Sequence, residues 1–194
     1  MSQERAARTR RALITAAAAE FARNGYAGTS LARVCSAAGV TMGALTFHFP
    51  SKTTLAAAVG ARGADLTHEA LRTVTAHPAR GVGALVELTA TLARLLEEDV
   101  VARAAARLGR ERADTGAGSW HAAWMPQVRE LVTGAADDVE GYGDPADLEL
   151  LALYLVAGAE AAVQTGWRGE GTEEQVRRLW KLLLGGFGSR PSPA

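Results

Sequence analysis

The feature that most constrains this chain is a short stretch punctuated at both ends, GVTMGALTFHF, which Gly39 opens and Pro50 follows. Glycine at the first point supplies the positive φ of a tight turn, and proline at the second disfavours a helical Phe49. What fits between is about one and a half turns of helix, with Thr41 as its cap. So short a helix is not stable alone and must be braced by neighbours. The flanking sequence offers them. From about Ala6 to Asn24, Leu13, Ala17 and Phe21 recur at i, i+4 and i+8 with Ile14 and Ala18 beside them, and Gly25 ends that helix. Thr29 or Ser30 caps a second short helix with Leu31, Val34 and Ala38 turned inward. Two short helices joined by a tight turn, with a longer one behind, form a helix-turn-helix whose second member fits a DNA major groove. Here the pair is Ser30 to Ala38 and Thr41 to Thr46, within residues 30–49. Leu45 and Phe49 then face Leu31, Val34 and Phe21, while Thr41, Met42, Ala44, Thr46, Phe47 and His48 face outward. Taken alone, the stretch also admits Phe47 and Phe49 as core residues, with His48 hydrogen-bonded at a helix end.

The rest of the chain continues in the same idiom, so the expected class is all-α with about nine helices. Ser51 caps a long fourth helix beginning at Lys52, interrupted at His77-Pro78; Leu85, Leu88, Leu92 and Leu95 stripe a fifth, and a sixth covers Val100 to Arg112. After DTGAGS, a seventh runs from Trp120 to Ala136. After EGYGDP, with Asp144 as cap and Pro145 at the first helical position, an eighth reaches about Gln164. Thr172 caps a ninth that ends near Gly185, and the tail, 188–194, should be disordered.

Charge divides the chain. Residues 1–57 carry seven basic and two acidic residues, net +5, against fourteen and nineteen in the remainder, net −5. A basic end on an acidic body suits a polyanion at one end only. No apolar run reaches the roughly 20 residues a bilayer helix needs, and the charged start lacks a signal peptide's apolar segment, so the cytoplasm is the expected location. Cys35 is the only cysteine and reads as a buried thiol; His48, His68, His77 and His121 have no metal-ligand spacing. No phosphate loop and no G-x-S-x-G elbow occur, so neither metal, cofactor nor catalysis is expected.

Arg8 to Leu55, RTRRALITAAAAEFARNGYAGTSLARVCSAAGVTMGALTFHFPSKTTL, resembles the N-terminal domain of the tetracycline-repressor family: F-x-x-x-G-Y, T-[ST], A-G-V-[ST], G-x-L, H-F and S-K-x-x-L follow in order. The resemblance implies a homodimeric, all-helical repressor whose C-terminal domain dimerises and binds a small molecule. It implies contacts to phosphates or bases from Ser30, Arg33, Thr41, Met42, Gly43, Ala44, Thr46, Phe47, His48 and Lys52. Two positions depart from the family pattern: Met42 stands where a cation is usual, and Thr46 where a phosphate-contacting tyrosine is usual. A lost cation removes about one unit from the salt slope of binding, whereas methionine suits a thymine methyl.

Past Leu55 the segment Gly81 to Glu111, with a tryptophan about a dozen residues later, resembles the γ-butyrolactone receptors. That resemblance implies a ligand pocket walled by Trp124, with Trp120 one turn earlier and thus expected on the same face. Further expected walls are Leu88, Leu92, Leu95, Val128 and Val163, with Thr89, Thr91, His121, Gln127, Gln164 and Thr165 as candidate polar anchors. Dimerisation is expected through two stripes, Leu148, Leu151, Leu155 and Ala159, and Val176, Leu179, Trp180 and Leu183, unless these pack within one subunit. The expected division is 1–55 for the DNA-binding domain and 56–187 for the ligand-binding and dimerisation domain. The function so read is an effector-released regulator, a repressor on a pseudo-palindromic operator. The rivals are a constitutive regulator with a filled body and an enzyme on a small hydrophobic substrate.

Overall fold

A computed structural model of the chain describes residues 2–75, 81–111, 119–134, 144–167 and 169–187. Among these residues all regular structure is helical: α1 (Ser2–Gly28), α2 (Leu31–Ala38), α3 (Met42–His48), α4 (Lys52–Thr75), α5 (Gly81–Glu98), α6 (Val100–Glu111), a 3₁₀ turn (His121–Ala123), α7 (Met125–Gly134), α8 (Pro145–Thr165) and α9 (Thr172–Phe187). The expected all-α class is the class observed. The break at His77-Pro78, most of the two loops read from composition, and the tail 188–194 lie outside the described residues.

The helices form two compact units, Met1–Thr67 with Asp99–Ala123, and His68–Glu98 with Trp124–Ala194. The first unit thus takes in α6 and much of α4 as well as the N-terminal helices, because α6 packs along α1. Val101, Ala104 and Leu108 of α6 share one apolar core with Leu13, Ala17 and Phe21 of α1, Val34 and Cys35 of α2, Leu45 of α3, and Leu55 and Val59 of α4. Sequence periodicity finds an apolar face but does not say which other face it meets.

A break in α1 gives α6 a second, polar hold. Gly25 has φ 69° and ψ 179°, outside the helical region although hydrogen-bonded structure resumes beyond it. Such a break orphans a carbonyl on one side and an amide on the other. Arg107 of α6 donates to the Ala22 carbonyl at 2.8 Å, and the Tyr26 amide donates to Glu111 at 2.6 Å. The two α6 side chains also pair with each other at 2.6 Å. Burial pushes the Glu111 carboxyl up, but the Tyr26 amide and the Arg107 guanidinium outweigh it and hold it below its ordinary value.

The sequence reading of one continuous seventh helix is corrected by the structure. Its first turn is 3₁₀, and the α-helix begins only at Met125, with Pro126 in its first turn. Trp120 and Trp124 consequently do not share a helical face. Trp120 belongs to the first unit, where its indole N–H donates to Thr67 Oγ1 at 2.9 Å and Thr67 in turn donates to the Gly63 carbonyl. Beside it, burial first and the charge of Arg110 second hold His121 below its usual pKa.

In the second unit α5 is central, packed by α7, α8 and α9. Leu85, Leu88, Ala90, Leu92, Ala93 and Leu96 are buried around most of its circumference, as befits a helix surrounded by others. Polar side chains tie α9 to it. Trp180 donates to Thr89 Oγ1 at 2.8 Å, Glu97 accepts from the Thr172 amide at 2.8 Å, and Arg177 bridges Glu87 and Glu173 at 2.9 Å each. Those two carboxylates raise the pKa of Arg177 against the effect of its burial.

A Cβ at Gly25 would collide with the Glu111 carboxylate, in a backbone conformation that only glycine adopts readily. Gly25→Ala is expected to destabilise the protein by roughly 1–3 kcal/mol for the backbone alone, and more where the α6 hold is displaced, measured by chemical denaturation.

Candidate nucleic-acid interface

Local sequence builds the turn between α2 and α3. Gly39 sits at φ 66°, ψ 33°; its amide bonds to the Ser36 carbonyl at 3.3 Å and the Val40 amide to Cys35 at 3.0 Å. This pair of backward bonds is a Schellman motif. Ser30 caps α2 by accepting from the Arg33 amide at 3.3 Å, and Thr41 caps α3 by accepting from the Ala44 amide at 3.2 Å. Phe49 ends α3 in an extended conformation, its amide bonding Leu45 at 2.7 Å. Ser51 and Thr54 then cap α4 reciprocally, each amide donating to the other's hydroxyl at 3.1 Å.

The side chains of α3 divide sharply between two environments. Leu45 and Phe49 are buried at 0% and 2% exposure, whereas Met42 and Phe47 stand 44% and 81% exposed. Phe47 is thus no core residue, and the reading that placed it there falls. Its ring packs edge-on against half-buried His48 with centroids 5.1 Å apart. Thr41, Gly43 and Thr46 are exposed and Ala44 half-buried. Thr46 donates its hydroxyl hydrogen back to the Met42 and Gly43 carbonyls, both at 3.1 Å, leaving its oxygen as an outward acceptor.

The cations assigned to this face differ in freedom. Arg33 is exposed but pairs with Glu20 at 3.5 Å and donates to the Gly28 carbonyl. Lys52 is half-buried, with its ammonium 4.5 Å above the Tyr26 ring and donating to the Thr29 carbonyl at 2.8 Å and the Ala27 carbonyl at 3.4 Å. In the protein without DNA, Lys52 therefore holds the end of α1 against the start of α4. An open groove of about 1170 Å³ runs between the head of α1 and α3, lined among others by Arg5, Arg8, Arg11, Ala44, Phe47 and His48. These three arginines belong to the basic end of the chain, and their i, i+3, i+6 spacing in the sequence already marks a common row.

The residues expected to hold a small molecule differ in depth. Trp124, Leu88, Leu92 and Val128 are fully buried in the second unit, Leu95 and Val163 half-buried, and Gln164 exposed with its amide on Glu160 at 3.0 Å. Gln127, one turn after Trp124, has a buried side-chain oxygen without a hydrogen-bond partner among the described residues. The expected dimerisation stripes are corrected in part: Leu148, Leu155, Ala159, Val176 and Trp180 are buried inside their own unit, and Leu151 and Leu183 are half-buried. Leu179 stays exposed, joined by Leu150, Tyr154 and Leu182.

Nothing inside the protein requires glycine at position 43, where an added Cβ would meet only Thr41 Oγ1, at 3.9 Å. Gly43→Ala is expected to stabilise the fold by up to about 1 kcal/mol through helix propensity. If the α3 backbone lies close to DNA at this point, the same substitution weakens binding, so melting temperature and affinity for duplex move in opposite directions.

The family model of bacterial regulatory proteins, tetR family, matches residues 13–59, the stretch that carries this geometry. No curated protein matches the chain. Among solved structures, full-length TylP, a TetR regulator from Streptomyces fradiae, is 30% identical over 92% of this chain and 86% of its own, with a TM-score of 0.59. A γ-butyrolactone receptor, an ArpA-like protein, is 28% identical over 94% and 89%, with a TM-score of 0.70. The TetR-family protein CprB from S. coelicolor A3(2) is 26% identical over 92% and 98%, with a TM-score of 0.68. A capped, braced and outward-facing α3, matched by the family model and by regulators along nearly the whole length, makes this chain a member of the TetR family of transcriptional regulators.

Proposed function

We propose that the chain is a repressor that binds a pseudo-palindromic operator as a homodimer and is released by a small hydrophobic effector of γ-butyrolactone type. The observation that carries the DNA reading is the exposure of Met42 and Phe47 on a helix anchored by Leu45 and Phe49. Exposed apolar rings are unfavourable in water and are covered in a complex. One such helix reads few base pairs, and a second copy supplies the missing affinity. The exposed row Leu150, Tyr154, Leu179 and Leu182 on α8 and α9 supports a two-fold four-helix interface. The reading is of a binding protein and not an enzyme.

For the effector, the support is the buried Gln127 oxygen one turn beyond Trp124, an acceptor available to a ligand hydroxyl. The similarity to a γ-butyrolactone receptor points the same way. The complete burial of Trp124 favours a second reading, a constitutive regulator whose body is filled by its own side chains. An effector acts only through its different affinity for DNA-competent and DNA-incompetent conformations. The chain passes between the two units at three points, within α4 at Thr67-His68, at Glu98-Asp99 and at Ala123-Trp124.

The test begins with duplexes selected from a random pool by the full-length protein, to which an alkyl-substituted γ-butyrolactone is added. Release of DNA supports the receptor reading; indifference to the lactone at every concentration supports the constitutive one. Gln127→Leu should leave DNA affinity intact and weaken the lactone response at least tenfold. It is preferable to Trp124→Ala, which removes a fully buried indole and costs about 3–5 kcal/mol whatever its role. In sedimentation, the wild type should be a dimer and the L150E/L182E variant a monomer with unchanged helicity; a monomeric wild type overturns the two-fold reading.

A further inference from the structure

We infer that the head of α1 is a second DNA-contacting element: Arg5, Arg8 and Arg11 grip the sugar-phosphate strand bordering the groove that α3 enters. The inference rests on the DNA reading of α3 and extends it to a helix to which that reading gives only a bracing role.

Three observations carry it. First, the groove of about 1170 Å³ is bounded on one side by these arginines and on the other by Ala44, Phe47 and His48, so whatever meets the outward end of α3 also meets them. Second, their charge is uncommitted. None of the three makes an ion pair among the described residues, while Arg94, Arg129, Arg177 and Arg178 of the other unit are each paired with a carboxylate. In the groove the sole acid is Glu4. Third, spacing at i, i+3 and i+6 lays the guanidinium groups along one shallow row spanning about 9 Å of helix axis, at 1.5 Å per residue. A row of cations facing an exposed aromatic ring is complementary to a phosphodiester strand: the guanidinium groups take the phosphates, and the ring packs on deoxyribose. Arg10 marks the limit of the surface. It lies 5.2 Å above the buried Phe49 ring and is not part of the groove.

Contacts of this type neutralise phosphate without reading bases, so their removal lowers the salt dependence of binding and leaves the preferred sequence alone. The experiment uses the full-length protein and a duplex it selects from a random pool, with binding measured across a salt series. R5A/R8A/R11A should reduce the slope of log affinity against log salt by about 2 to 3, near 0.9 per phosphate, with the selected sequence and the thermal melt unchanged. R10A should keep the wild-type slope, and R5K/R8K/R11K should keep most of it. An unchanged slope in the triple alanine variant overturns the proposal while the DNA reading stands, and so does an R10A loss equal to that of any single groove arginine. A wild type that enriches no duplex overturns both.

Discussion

Helix α3 exists because one side chain at its middle, Leu45, and one at its end, Phe49, are pulled into a core made by other helices. Seven residues cannot sustain a helix in water. Burying Leu45 and Phe49 supplies on the order of 1.5–3 kcal/mol each, which holds the helix in one orientation and turns Met42 and Phe47 to solvent. Everything assigned to the DNA face depends on that anchorage. So does the direction of α1, whose Phe21 packs in the same cluster.

The polar devices around this core all serve helix ends. Gly39 and the Schellman bonds end α2, Thr41 and the Ser51–Thr54 pair begin α3 and α4, and Lys52 satisfies the last carbonyls beyond the α1 break. Arg107 and Glu111 do for the break itself what a cap does for a terminus, from another helix. Because those two residues lie on α6, the first unit is closed by a segment far away in sequence. A displacement of α6 then loosens the polar ends and the apolar core of the DNA-binding head together.

What the sequence discloses is what short-range chemistry decides. The turn at Gly39, the stop at Pro50, the caps at Ser30, Thr41 and Asp144 and the inward Leu45 and Phe49 each follow from a residue and its near neighbours. What stays hidden depends on partners far along the chain. Nothing near Lys52 announces that the carbonyls of Ala27 and Thr29 would engage its ammonium, or near Trp120 that Thr67 would take its N–H. The stripes on α8 and α9 are legible as apolar, but an apolar stripe does not say whether it meets its own α5 or another molecule. Leu148 and Trp180 meet their own unit, and of the expected positions Leu179 faces outward, together with Leu150, Tyr154 and Leu182, which the stripes did not include.

The separation of roles on α3 has an evolutionary consequence. Met42 and Phe47 are exposed and a Cβ at Gly43 meets only Thr41 Oγ1, so side chains at these three positions can be exchanged without disturbing the core that holds α3. A lineage carrying this head can drift from one operator to another by single substitutions. Drift at Leu45 or Phe49 is closed to it.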